Sequence, residues 1–340
     1  MLTPHSSSVL PEFSHLMTVL FRHTGLLAAL ALLTLTAPLG AQTLIDPARA
    51  AAATPTDAVN QALIRAQQEA ASAGLDSENA YAPASPGDSD LGDQLILKRL
   101  DKVQPFAVWL DSSAYWTDNA ANVSAGNIED WFYVGGVNAT WQQRIKGRFY
   151  GDVYLGQHWY RYDELSDLDY ENGEVSAGLI VLAPELANSV FFLNYYYQRI
   201  TQDIDASPIY ETQNIRVGGQ KTFLIDRLNS VNVSLMSSFA LDADPEVLRR
   251  HEHSLHLGYN YKIMRELLFS LTYRLVYYDY FRLEDREDWY QNFGAYLTWR
   301  PKKYLELSAG YNFTLNKSNI DVFDYESHLA GPSVVLKYQF

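Results

Sequence analysis

The chain has 340 residues and no cysteine, which excludes disulfides, thiol nucleophiles and cysteine-based zinc sites. Its formal net charge of -14 argues against nucleic acid as a partner, because phosphate binding needs a basic surface. The 24 Tyr, 15 Phe and 7 Trp suit surfaces that are apolar on one side and wet on the other.

Near the N-terminus, Arg22 and His23 precede an apolar run from Leu26 to Leu35, which ends in small residues at Gly40-Ala41. That is the layout of a cleaved secretory signal, with an apolar run too short for a spanning helix. Residues 1–41 are assigned to it. Residues 1–16 contain no Lys or Arg, so translation is expected to begin at Met17. No later stretch approaches about 18 consecutive apolar residues, so any further membrane crossing must use strands.

Residues 42–104 are rich in Ala, Asp, Ser and Pro, with Tyr81 as their one aromatic. Thr56-Asp57 can cap a short helix over 57–73, and Gly74 can stop it. Pro83, Pro86, Gly87 and several acids follow, so the segment reads as a periplasmic linker. A plug or a docking helix is the alternative.

From Pro105 onward the side chains alternate with period two, as on a strand with one apolar and one polar face. Leu305, Leu307, Ala309, Tyr311, Phe313 and Leu315 oppose Glu306, Ser308, Gly310, Asn312, Thr314 and Asn316. The pattern predicts strands near 105–117, 129–142, 148–161, 172–183, 189–201, 210–223, 229–241, 251–262, 266–281, 288–299, 303–316 and 326–340. Short turns alternate with longer polar loops between them. An even strand count with this alternation describes a closed antiparallel transmembrane β-barrel over 105–340, both chain ends on the short-turn side.

Aromatics recur ten residues apart on the apolar faces: Phe106 and Trp116, Trp131 and Trp141, Phe149 and Trp159, Trp289 and Trp299. Ten residues at ~3.3 Å each, tilted by ~35–45°, span roughly 23–27 Å along the membrane normal. An apolar band of that height with an aromatic girdle at each edge is the expected barrel exterior. At the C-terminal end Val334, Leu336, Tyr338 and Phe340 alternate and finish in Phe. This resembles the signal that bacterial outer-membrane barrels present to their assembly machinery, and residues 105–340 together resemble a porin. The resemblance implies the cell outer membrane of a Gram-negative-type envelope, with lipid, lipopolysaccharide and the barrel assembly machinery as partners. It also implies passive passage of small hydrophilic solutes, without cofactor.

The same parity turns Asp111, Tyr115, Asp152, Tyr154, His158, Tyr196, Arg216, His256, Arg274, Tyr278, Tyr296, Glu306 and Lys337 inward as candidate pore lining. Their mixed signs predict weak selectivity. The loops are acidic (Asp163, Glu164, Asp242, Glu284, Asp285) and the turns basic (Arg144, Lys146, Arg227, Lys302), which tilts the preference towards cations.

Four groups of residues suggest chemistry. The run His251-Glu252-His253, with His256, could chelate a metal, but parity sends His251 and His253 outward and Glu252 and His256 inward. A lipid hydrolase needs a serine activated by histidine, and no spacing around His158 or His256 marks such a pair. Neither Asp203 with Asp205 nor Asp242 with Asp244 continues into a calcium loop. Gly135-Gly136 and Gly218-Gly219 lie inside strands and fit bends in a barrel wall. The sequence therefore points to a non-enzymatic channel. The alternative is a non-conducting barrel with a filled lumen, and a lipid hydrolase comes third.

Overall fold

A computed structural model describes residues 104–186, 189–202, 208–226, 228–282 and 285–340. The expected signal, the linker over 42–103, the short helix, Asp203, Asp205, Arg227 and Glu284 lie outside the described residues. The strands are β1 (Phe106–Thr117), β2 (Asp130–Lys146), β3 (Phe149–Tyr162), β4 (Tyr170–Ala183), β5 (Ser189–Thr201) and β6 (Pro208–Leu224). They continue as β7 (Asn229–Asp244), β8 (Arg250–Met264), β9 (Leu267–Tyr280), β10 (Glu287–Lys302), β11 (Leu305–Ser318) and β12 (Tyr325–Gln339). Each strand pairs antiparallel with its neighbours in sequence, and β1 pairs with β12 to close the barrel. Closure leaves no open edge, so every strand has a hydrogen-bonded neighbour on both sides.

The twelve strands fall where the period-two pattern puts them, with shifted ends. β2 runs to Lys146 and β10 to Lys302, a few residues past the expected limits. Register shifts at Arg144/Lys146, Lys262/Met264 and Trp299/Lys302 absorb the additional residues as bulges at the turn rim. Gly147, with φ +56°, supplies the left-handed residue between β2 and β3.

Burial is inverted relative to a protein with an apolar interior. Outward Leu155 and Leu193 are 49% and 50% exposed, whereas inward Asn138 and Asn172 are 2% and 1% exposed. Where β1 meets β12 the pairing is interrupted between Ser113↔Ser333 and Trp116↔Ala330. Gly331 lies in this gap, and a Cβ there would collide with the Ala114 carbonyl. Pro332 beside it has no N–H to donate.

The longer loops after β3, β7 and β11 each form one 3-10 turn, at Ser166–Leu168, Glu246–Leu248 and Asp321–Phe323. The first two return Leu168 and Leu248 into the barrel mouth, where both are buried.

Candidate functional site

The inner wall is built by parity. On β1 the inward positions include Trp109, Asp111 and Tyr115, and on β3 they include Asp152, Tyr154 and His158. Asn138 donates to Asp111 at 2.6 Å, and the Tyr154 hydroxyl donates to Asn138 Oδ1 at 2.7 Å. His158 Nε2 lies 3.7 Å from the Asp111 carboxylate. The polar chain continues on β4–β6. Gln198 donates to Asn172 at 3.0 Å, Asn172 to Glu174 at 3.2 Å, and the Tyr196 hydroxyl to Glu174 at 2.8 Å. The Arg216 guanidinium covers the Tyr196 ring, 3.1 Å from its centroid. Glu306 accepts from Arg300 at 2.6 Å, and Lys337 lies over the Trp109 ring. His256 and Arg274 stand opposite each other on β8 and β9. Tyr296 donates to Asn312 at 2.5 Å. Tyr278 is buried beside Tyr290.

Several functional positions escape a reading by residue type. Trp109 is apolar on an otherwise polar face, and only the parity of β1 marks it as inward. Glu174 and Asn172 on β4 follow the same rule. More consequentially, the inner wall is not polar throughout. Tyr150, Ile180, Leu182, Val190 and Phe192, with Met236 against them, form an apolar cluster on the inner wall of β3–β5 towards the turn end. The polar lumen expected from the sequence is therefore confined to part of the bore.

At the loop end the lumen is sealed. Phe132, Tyr160, Tyr162, Tyr170, Ile200 and Tyr210 pack with Leu168, Leu248 and Leu329 into one buried cluster. Tyr160 and Tyr170 stack at 4.2 Å, and Phe132 stacks on Tyr162 at 5.2 Å. Side chains lining an open wet bore would be exposed to it, yet Phe132, Tyr160 and Tyr170 are 0% exposed. Two buried arginines complete the seal on β8–β11. Arg250 donates to the Tyr280 hydroxyl, lies 4.0 Å over the Tyr278 ring and pairs with Glu252 at 3.4 Å. Arg286 pairs with Asp288 and lies 3.4 Å over the Phe323 ring. Guanidinium–aromatic stacks of this kind are strong once desolvated. A cavity of about 10 Å³ between Thr117, Asn119, Phe132, Tyr162 and Tyr325 has room for about one water.

Below the seal, the inward residues of β7–β9, β11 and β12 are mostly half-buried, in contrast to the buried cluster at the loop end. On the outer face, register sets Phe106 beside Trp141 and Trp116 beside Trp131, one pair at each rim. Phe149, Trp289 and Trp299 are exposed, and Trp159 is half-buried. Val334, Leu336, Tyr338 and Phe340 also face outward, with the Phe340 ring stacked on Phe106 at 5.6 Å. His251 and His253 project outward at the loop rim, as parity requires. His253 Nδ1 lies 2.9 Å from Ser237 Oγ on the neighbouring strand. That serine–histidine contact arises from strand register and leaves no mark in sequence spacing. Among the described residues nothing hydrogen-bonds the other ring nitrogen to orient it, as a hydrolytic triad would require.

No protein-family model matches the chain, and no characterised protein matches it by sequence. In fold it is similar to an outer-membrane channel from Pseudomonas putida F1, with a TM-score of 0.53 and 10% identity over 72% of this chain and 99% of that one. It also aligns with the NanC porin at a TM-score of 0.41 and 7% identity, covering 67% of this chain and 98% of that one. For the translocator domain of the autotransporter NalP from Neisseria meningitidis the TM-score is 0.39 and the identity 8%, over 70% and 90% of the two chains. At these identities the likeness is one of fold, the closed β-barrel of the outer-membrane type.

Proposed function

We propose that this chain is a channel of a Gram-negative-type outer membrane, closed at its loop end in the conformation described, that passes small hydrophilic solutes by diffusion. The observation that carries the reading is the polar, half-buried inner wall of β7–β9, β11 and β12, set inside a barrel whose outer surface is apolar. Lipid on the outside and water on the inside account for that inversion. The aromatic pairs at the two rims act as girdles that fix the barrel's height in the bilayer. Phe106 and Phe340 exchange backbone hydrogen bonds of 3.1 and 3.0 Å at the turn end, which supports the reading that both ends of the barrel share the periplasmic side. The alternating Val334, Leu336, Tyr338 and Phe340 are the handle for the assembly machinery. Lipopolysaccharide meets the rim carrying Asp163, Glu164, Asp242, Asp285 and Glu287. That acidic rim favours cations at entry.

Conduction requires the outer seal to part. Planar-bilayer recordings of the purified barrel are expected to show brief, small current steps. A Tyr160→Ala/Tyr170→Ala variant should give longer and larger ones, since it deletes the stacked rings at the centre of the seal. Silence from both proteins in bilayers where a known porin conducts would remove the channel reading.

The second reading is a non-conducting barrel whose loops bind a partner. One observation favours it, the complete burial of the inward side chains at the loop end. It predicts that silent outcome, and no enzymatic step is assigned under either reading.

A further inference from the structure

The inner wall of β7, β8 and β9 carries charge differently from the rest of the lumen. Five of the inward acids elsewhere have partners of their own, whereas Asp152 on β3 has none among the described residues. Glu306 is held by Arg300, Glu252 by Arg250, Asp288 by Arg286, Glu174 by Tyr196 and Asp111 by Asn138. From Glu252 towards the turn end, no inward position of β7–β9 is acidic. Those positions instead hold Ser234 on β7, Ser254 and His256 on β8, and Thr272 and Arg274 on β9.

Register draws them into one patch. His256 stands directly between Ser234 and Arg274, and Ser254 lies one inward step from His256. Side chains opposed across neighbouring strands have Cβ atoms about 4.5–5.5 Å apart, so imidazole and guanidinium share one surface. Among the described residues Arg274 forms no ion pair. Its inward neighbour on β10, Asn292, is engaged with Thr314 at 2.9 Å. Gly258, opposite Thr272, adds no side chain beside the patch, and the nearest atoms to a Cβ there would be those of Asn232 and His256 at 3.6–3.8 Å. Arg274 and His256 are half-buried on the inner wall, so neither is closed off as the side chains of the loop-end seal are.

A guanidinium held part-way out of bulk water without a counter-charge is unfavourable until an anion completes it. Its fork of N–H groups matches the paired oxygens of a carboxylate or phosphate. Serine and threonine hydroxyls add donors at the same oxygens. We propose that this patch binds a small anionic solute bearing a carboxylate or phosphate, with two oxygens on Arg274 and the remainder on His256 and the surrounding hydroxyls. The acidic rim then acts at entry and this site inside, so the two act on opposite signs of solute. The proposal relies on the channel reading for passage of the solute, whereas binding needs only the partial exposure of Arg274 and His256.

Calorimetric titration of the full-length, detergent-solubilised barrel in chloride-free buffer tests it, with inorganic phosphate in one series and acetate in another. The wild type is expected to bind at least one of them, and which one binds separates a phosphate site from a carboxylate site. Arg274→Gln should weaken binding about tenfold or more, the loss of one charge-assisted two-point contact. Arg274→Lys, which keeps charge and bulk but loses the fork, should fall between the two. Arg282→Gln at the loop rim should bind as the wild type does. Unchanged gel migration before heating shows that each variant retains the folded barrel, and the lysine variant carries the comparison if the glutamine variant does not. Neither anion binding to the wild type, or equal affinities in wild type and both Arg274 variants, would overturn the proposal. Bound anion with a silent bilayer would sink the channel reading and leave the site standing.

Discussion

Asp324 anchors the loop between β11 and β12. Its carboxylate accepts the Ser318 backbone N–H at 2.7 Å and the Lys317 ammonium at 2.9 Å. Partial burial pushes its pKa up, but the Ser318 amide and Lys317 together outweigh that and hold it below the ordinary carboxylate value. A depressed folded pKa stabilises the loop above the unfolded value of about 3.9, and the contribution is lost as pH falls through the lower folded value. Hydrogen exchange at Ser318, corrected for intrinsic rate, should therefore be more protected at pH 5 than at pH 2. Asp324→Asn should flatten that difference, and equal protection of the wild type at the two pH values would contradict this account. In the turn between β6 and β7, Asp226 is lowered first by the Leu228 N–H at 2.7 Å and also by Asn229. Short turns with such internal hydrogen bonds fix the hairpin register on which the inner wall depends.

At the scale of the element, the closing pair β1–β12 is the most constrained. Gly331 gives up its side chain so that β12 can pass the Ala114 carbonyl, and the missing pairs around it show how tight that approach is. Gly178 on β4 is similarly pressed against Leu193 and Asn194 of β5, but inside a ladder that is continuous on both sides. Substitution at the closing pair thus blocks completion of the sheet, the step that removes the open edge. Gly331→Val is expected to reduce the fraction of refolded protein that migrates as a compact barrel on an unheated gel. Gly135→Val, where a Cβ meets nothing within 4 Å, should leave it unchanged. Equal yields from the two would mean that closure tolerates a displaced β12.

For the whole molecule the governing fact is the solvent on each side of the wall. Leu193 faces outward near the middle of β5, and Leu241 faces outward near the loop end of β7. If lipid covers the outer face, an arginine costs about 2–4 kcal/mol at the bilayer midplane and about 0–1 kcal/mol near the interface. Leu193→Arg should accordingly destabilise the barrel in urea titrations from lipid vesicles by about 2–4 kcal/mol, and Leu241→Arg by no more than about 1 kcal/mol. Equal costs at the two positions would argue that the outer surface does not meet a membrane of graded polarity. The seal belongs to the same scale, since strands around the ring and several returning loops all contribute to it.

How much of this was legible in the sequence follows from what a strand records locally. Period-two alternation from Phe106 to Phe340 is a property of consecutive residues. It was enough to count the strands, pair them as a meander, and assign Asp111, Asp152, Arg216, Arg274 and Glu306 to the inner face. Strand ends at Lys146 and Lys302 were less visible, because bulges let polar residues continue a ladder past the apolar band. Contacts between strands depend on register, which composition does not encode. The Tyr160–Tyr170 stack, the Arg250 and Arg286 stacks and the Ser237–His253 pair all join residues brought level by hairpin geometry. Sequence by itself thus determined that this chain closes into a barrel with its apolar side out. Only the tertiary structure decided that the bore is filled at its loop end and that Arg274 stands beside His256 on the inner wall without an ion-pair partner among the described residues, because side chains from distant strands occupy the lumen only after the ring has closed.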